Sequence, residues 1–160
     1  MKKNILSFIL IFAVVIQLSG QTVETPKFTA TASKTEVKCG DILDLVIEAD
    51  IPDNWHLYST QTDCSENNGP LYAEITITSS PNFELVGSIA SVGDSMHLDE
   101  IFECSTGEFS KKAVFVQKVK IKKSVEAIEL EFYGQMCKQD GTGMCVLVKD
   151  KFKSKSITVK

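Results

Sequence analysis

Apolar and polar residues alternate along most of this chain. From Ile42 to Ala49, Leu43, Leu45, Ile47 and Ala49 fall on one face while Asp44 and Glu48 fall on the other, the pattern of a half-buried strand. The same period recurs from Ala73 to Thr78, where Ala73, Ile75 and Ile77 oppose Glu74, Thr76 and Thr78, and again from Phe83 to Ile89. Val114 to Ile121 sets Phe115, Val119 and Ile121 against Lys118 and Lys120. Ile128 to Tyr133 sets Ile128, Leu130 and Phe132 against Glu129 and Glu131. Phe152 to Val159 is expected to close the chain as a strand with Ile157 and Val159 inward. Turn signals separate these runs at Cys39-Gly40-Asp41, Pro52-Asp53-Asn54, Asn67-Asn68-Gly69-Pro70, Ser79-Ser80-Pro81-Asn82 and Gly141-Thr142-Gly143. No segment holds apolar residues at helical spacing over three turns. Many short strands with regular turns predict an all-β chain folded as an immunoglobulin-like β-sandwich.

The start of the chain reads differently. In Met1 to Gly20, Lys2 and Lys3 precede an apolar run from Ile5 to Ile16 that is broken only by Ser7, and Ser19-Gly20 ends it with small residues. This is the layout of a secretory signal peptide, and the run is shorter than the roughly 20 residues that a membrane span needs. A lipoprotein would have cysteine after the small residues, where this chain has Gln21, so cleavage is expected before Gln21. The expected organisation is a signal peptide over 1–20 and one domain over 21–160, which suits a chain of 160 residues. Gln21 to Lys27 is polar and contains Pro26, so it is expected to be a flexible lead-in. The product is expected in the periplasm or outside the cell.

At 43% apolar and 24% charged, the composition suits a folded core rather than disorder. The chain has 17 Lys and no Arg against 21 acidic residues, for a net charge of −4; without residues 1–20 it keeps 15 Lys and carries −6. That balance, with no guanidinium to grip phosphate, argues against nucleic acid as a partner.

Export makes the cysteines informative. Five of them, Cys39, Cys64, Cys104, Cys137 and Cys145, cannot all pair within one chain. Cys137 and Cys145 flank seven residues rich in turn formers, between the end of one predicted strand and the start of the next. A hairpin there brings them face to face, close to the separation a disulfide needs. A loop this short stabilises by only about 2.5 kcal/mol when bridged, so spacing alone leaves a structural staple and a redox pair equally open. Zinc is poorly supported, since His56 and His97 lie in no paired ligand motif. One pair among Cys39, Cys64 and Cys104 is expected to be structural. Cys64 with Cys104 is favoured only because both lie in long loops. Trp55 reads as core, His56 as a surface strand residue, and His97 as a loop residue with weak acid–base prospects. The Lys111-Lys112 and Lys122-Lys123 doublets read as solvated strand ends. There is no serine-hydrolase arrangement and no phosphate-binding glycine loop.

Three stretches, in order, carry a resemblance: Trp55-His56-Leu57-Tyr58-Ser59 followed by Gly69-Pro70, His97-Leu98-Asp99-Glu100-Ile101-Phe102, and Tyr133-Gly134-Gln135-Met136-Cys137 through Cys145. With the strands between them, they resemble the N-terminal periplasmic domain of DsbD-type thiol:disulfide interchange proteins. The resemblance spans nearly all of 21–160. It implies an immunoglobulin-like sandwich in which Cys137 and Cys145 are the redox pair and Cys145 joins partners in a mixed disulfide. Asp99 and Glu100 match acidic residues near the pair. Ile101-Phe102 matches a cap loop whose aromatic shields the sulfurs, and Tyr58 borders the site if it meets that cap. Two departures are visible: the family's cysteines are usually closer in sequence, and the cap aromatic falls on Ile101, with Phe102 next to it. The partner implied is a thioredoxin-like or membrane thiol:disulfide protein, and neither metal nor organic cofactor is expected. The competing reading is a non-catalytic exported interaction module whose hairpin disulfide is only a staple.

Overall fold

The computed structural model describes residues 23–65, 69–100 and 102–160, so the proposed signal segment lies outside the described residues. The described chain is all strand. In order these are β1 (Lys27–Ala32), β2 (Glu36–Val37), β3 (Ile42–Asp50), β4 (Trp55–Thr62), β5 (Glu74–Ile77), β6 (Phe83–Ser91), β7 (Ser95–Asp99), β8 (Cys104–Ser110), β9 (Lys112–Ile121), β10 (Glu129–Lys138), β11 (Cys145–Lys153) and β12 (Thr158–Val159). One sheet has the order β1-β3-β9-β6 and the other β11-β10-β4-β8-β7. Both are antiparallel, and a small parallel pair, β12 with β2, lies apart from them.

The two sheets meet over one apolar layer, which makes the fold an immunoglobulin-like β-sandwich. Leu43, Leu45, Ile47 and Ala49 of β3 and Phe115, Val119 and Ile121 of β9 are buried from one side; Leu57, Phe109, Leu130, Phe132, Met136 and Val148 are buried from the other. Phe132 bridges the layers, its ring centroid 4.4 Å from that of Phe28 and 6.1 Å from that of Phe115. The outward residues of β10 and β11 carry opposite charges, with Glu131 facing Lys149 and Lys151, and Glu129 facing Lys153. Gln117 is a polar residue in a core position. It donates to the carbonyls of Val86 and Gly87, where β6 bulges (Gly87 φ +69°), and to that of Lys118 on its own strand.

Two expectations are corrected. Phe152 to Val159 is not one strand: β11 already starts at Cys145 and stops at Lys153. Ser154 then turns inward, its hydroxyl accepting from the Ile128 amide at 2.9 Å and donating to the Lys155 carbonyl, so the ladder ends before Ile157. Nor is the segment before β1 wholly loose, because Pro26 is buried and Val23 packs against the core.

β10 has two neighbours along its second edge. Its far end, Met136 to Lys138, pairs with Leu57, His56 and Trp55 of β4, while Leu130 to Tyr133 pairs with β5. Between these, the Gln135 amide donates to the Leu71 carbonyl at 3.1 Å, and the Gln135 side chain accepts from the Leu71 amide at 3.2 Å. Gly134 lies where chains crowd, since a Cβ would stand 3.0 Å from the Phe132 ring and 3.4 Å from the Ala73 backbone. Truncating Phe132 to Ala removes the ring that joins the two sheets and should cost about 3–5 kcal/mol in urea unfolding. A loss below about 1 kcal/mol would mean that this ring does not hold the layers together.

Candidate functional site

Cys137 ends the buried alternation of β10 and Cys145 opens β11. They are directly opposite in the ladder, with Cα atoms 4.1 Å apart, and their sulfurs form a disulfide. The loop between them is shaped by its own chemistry. Gly141 and Gly143 take φ of +74° and +67°, a region in which a side chain is strained. The Thr142 hydroxyl and amide both donate to Asp140 Oδ1, at 2.6 and 3.0 Å. Those two bonds, with a smaller contribution from Lys138, hold the Asp140 carboxyl below its ordinary range. The Lys138 amide donates to the Met144 carbonyl, and the Gln139 amide to the Asn54 carbonyl, both at 2.9 Å.

The two sulfurs have unlike surroundings. Cys137 is 4% exposed, whereas Cys145 lies open to solvent. The Gln135 side-chain amide donates to Cys137 Sγ at 3.4 Å. Two exposed apolar residues stand close to Cys145 in the chain, Met144 just before it and Leu147 two residues after it. Lys138 contacts Asp140 at 3.5 Å and lies 5.8 Å over the Trp55 ring, which is buried as expected of a core aromatic.

On its other side Cys137 faces β4, where its register partner is His56. His56 is therefore not the surface strand residue the sequence suggested: its side chain is only 14% exposed, because β8 and β10 flank it on both sides. Its Nδ1 lies 3.8 Å from the Glu108 carboxylate, and its Nε2 is buried with no hydrogen-bond partner among the described residues. A cavity of about 410 Å³ opens here, lined by His56, Ser95, His97, Glu108, Ser110 and Gln139 among others. His97 reaches it from β7, so it stands on a strand and not on a loop.

Tyr58 lies two residues along from His56 and meets it edge-on, with ring centroids 5.1 Å apart. Its hydroxyl donates to Asp99 Oδ2 at 2.9 Å. Burial, first, and then that bond and the nearby carboxylates of Asp99 and Glu108 raise the phenol far above its ordinary range. Asp99 ends β7, opposite Cys104, and accepts from the Phe102 amide at 3.2 Å. Glu100 is exposed, Phe102 is half-buried, and Ile101 lies outside the described residues. The structure thus links Asp99 to Tyr58 and Tyr58 to His56, the register partner of Cys137.

A second disulfide joins Cys64 to Cys104, 40 residues apart, at the base of the β7–β8 turn. Asp63 supports it: its amide donates to the Ser105 carbonyl and its carboxylate accepts from the Ser105 amide. Ligand atoms of Asp63, Cys64 and Cys104 lie within 4.8 Å of one another, but the two sulfurs are bonded to each other. Cys39 is the unpaired cysteine and is exposed.

No family model and no curated protein matches the chain. Three solved structures are similar to it. The N-terminal periplasmic domain of ScsB from Proteus mirabilis is 17% identical over 79% of this chain and 43% of its own, with a TM-score of 0.48. The reduced N-terminal domain of DsbD from Neisseria meningitidis is 16% identical over 79% of this chain and 82% of its own, at 0.45. A cohesin module from a Clostridium perfringens family 33 glycoside hydrolase is 15% identical over 83% and 98%, at 0.44. The chain thus spans less than half of the ScsB chain. The fold is fixed by the strand pairing above, and the chemistry has to be read from the side chains.

Sequence reasoning missed His56, Glu108 and Gln135 as neighbours of the pair. Only the residue before Met136 carried a hint, since alternation puts Gln135 on the same face as Cys137.

The buried phenol generates a prediction. A raised folded-state value means that the native state holds this proton more tightly than the unfolded chain, so the stability it contributes is complete below about pH 10 and is lost as pH rises further. In alkaline titration followed by tyrosinate absorbance, one of the three tyrosines should stay protonated until the protein unfolds, and Tyr58→Phe should remove that late component. A late component that survives the substitution would contradict the assignment.

Proposed function

We propose that residues 21–160 form a thiol:disulfide exchange domain that works in the periplasm or outside the cell, delivered by a signal segment over 1–20. The observation that carries this reading is the unequal exposure of an opposed pair: Cys145 is open to solvent and Cys137 is 4% exposed behind it. A partner's sulfur can reach Cys145 without moving the strand beneath, while Cys137 is placed to attack only Cys145.

When the pair is reduced, the Cys145 thiolate attacks a partner disulfide. One new S–S bond joins Cys145 to the partner, the partner's own S–S bond breaks, and the displaced partner sulfur leaves as thiolate. Cys137 then gives up its proton and attacks Cys145 Sγ. The Cys137–Cys145 bond forms, the bond to the partner breaks, and the second partner sulfur leaves with the electron pair. The partner gains two electrons and two protons, and the domain loses them. Run backwards, the same steps reload the pair from a donor. Neither metal nor organic cofactor enters this balance. The partner is a thioredoxin-like or membrane thiol:disulfide protein, held only through the transient mixed disulfide.

We propose the stretch Asp99-Glu100-Ile101-Phe102 as a cover on the Tyr58 and His56 side of the pair that leaves Cys145 open, anchored by the 2.9 Å bond from Tyr58 to Asp99; Glu100 is exposed, and Ile101 lies outside the described residues. The Cys64–Cys104 bond holds the base of this turn and is structural. By the chain-entropy model, closing that 40-residue separation gives about 4 kcal/mol, against about 2.5 kcal/mol for the hairpin pair. The stabler closure suits a staple and the weaker one suits a bond that opens.

Cys145→Ser should abolish reduction of a disulfide-bonded thioredoxin-like protein. Cys137→Ser should accumulate a mixed disulfide with it, visible as a band of summed mass on a non-reducing gel. If both variants reduce the partner at the wild-type rate, the domain is instead an exported module with a stapled hairpin.

A further inference from the structure

Cys137 lies between two cross-strand neighbours, Cys145 on β11 and His56 on β4, so its side chain shares the outer face of the sheet with an imidazole. Directly opposed residues have Cβ atoms about 4.5–5.5 Å apart, within reach of an imidazole and a thiol. The imidazole is held at its other end. Nδ1 faces the Glu108 carboxylate at 3.8 Å, and Glu108 is itself fixed by the Thr106 hydroxyl, which donates to its Oε1 at 3.3 Å. With the Nδ1 proton turned to Glu108, Nε2 is left as a free lone pair. It is buried without a hydrogen-bond partner among the described residues, an arrangement that native proteins rarely keep without a use. In the disulfide form the adjacent sulfur has no proton to give, whereas a Cys137 thiol does.

We propose that His56 is the general base of the exchange reaction: in the mixed disulfide, Nε2 takes the Cys137 proton as Cys137 Sγ attacks Cys145 Sγ and the partner sulfur leaves as thiolate. This rests on the exchange reading above and deepens it. The imidazolium formed faces Glu108 from β8, and it then returns the proton to the leaving sulfur or to solvent through the cavity. Electrons move only from Cys137 to the partner, and the proton follows. The other charged or titratable groups around His56 are Tyr58 on its own strand, His97 from β7, and Lys112 from β9, the last two lining the same cavity. Glu108 is the carboxylate that the structure places against the ring. The sequence departs here from a simple staple, which has no need of a buried base beside it.

The test uses the reduced protein with Cys39→Ser, so that the exposed thiol does not compete, and the aromatic disulfide 5,5′-dithiobis(2-nitrobenzoate) as probe. Attack by Cys145 releases one coloured thiolate; attack by Cys137 on the mixed disulfide releases a second, and the rate of that second release reads the resolving step alone. His56→Gln should slow the second release about 100-fold near pH 7, the lower end of what a positioned base contributes. The deficit should shrink to about 3-fold or less above pH 9.5, where a thiol ionises unaided. Glu108→Gln keeps the acceptor for Thr106 but removes the carboxylate that faces the ring while it carries the proton, so the second release should slow near pH 7, by less than in His56→Gln, and recover above pH 9.5. A wild-type protein that releases no second thiolate sinks the exchange reading itself. A wild-type protein that releases it, with His56→Gln matching it or slowed equally at every pH, overturns the role of His56. Should His56→Gln fail to fold, a second release that Glu108→Gln leaves at the wild-type rate overturns it as well.

Discussion

The register of β10 is the constraint from which the site follows. Leu130, Phe132 and Met136 point into the sandwich, and the alternate residues Gln135 and Cys137 therefore point out. A slip of one residue would turn every side chain to the opposite face, exposing Phe132 and driving the sulfur into the core. The apolar layer that stabilises the fold thus also aims Cys137. The pairing with β11 then fixes Cys145 opposite it, and the pairing with β4 fixes His56 on its other side. Packing energy and sulfur chemistry thus share one strand.

The hairpin loop is held mainly by its own residues. Residues 139–144 hold themselves through Asp140, Thr142 and two positive-φ glycines rather than through the core. The Cys137–Cys145 bond is not what holds β10 in its sheet: the ladder from Glu129 to Met136 and the pairing with β4 and β5 are made by backbone hydrogen bonds. The two disulfides divide the work by position. One closes a long separation at the base of the β7–β8 turn, and the other closes a hairpin already closed by hydrogen bonds.

Much of the sandwich is visible in the alternation of residues, and the reason is physical. β3, β9 and the first half of β10 bury one face and wet the other, so Leu43 to Ala49, Phe115 to Ile121 and Ile128 to Phe132 announce themselves. β7 and β8 do not. Cys104 to Ser110 holds Ser, Thr and Gly, whose small side chains pack by close approach: a Cβ on Gly107 would collide with Ser59 and Asp94. β4 is similar, with Ser59 buried and bonded to Asp94 at 2.6 Å. The disulfide-bonded hairpin was legible because its partners are eight residues apart. His56 was not, because its neighbour Cys137 is 81 residues away and only the sheet order brings them together. Tyr58 stands between these cases: the resemblance puts it at the border of the site only if it meets a cap loop, and the structure adds its bond to Asp99.

In the exchange reaction proposed above, the Cys137–Cys145 bond is labile and the Cys64–Cys104 bond is not. Titrating the folded protein against reduced and oxidised glutathione, and identifying by mass spectrometry which cysteines alkylate at each ratio, separates the two bonds in a single experiment. Cys137 and Cys145 should become alkylated together at a potential within the range of exchange proteins, roughly −120 to −270 mV, while Cys64 and Cys104 stay protected. If the Cys137–Cys145 bond persists below about −300 mV, or opens only together with Cys64–Cys104, the hairpin bond is a staple and the domain does not exchange disulfides.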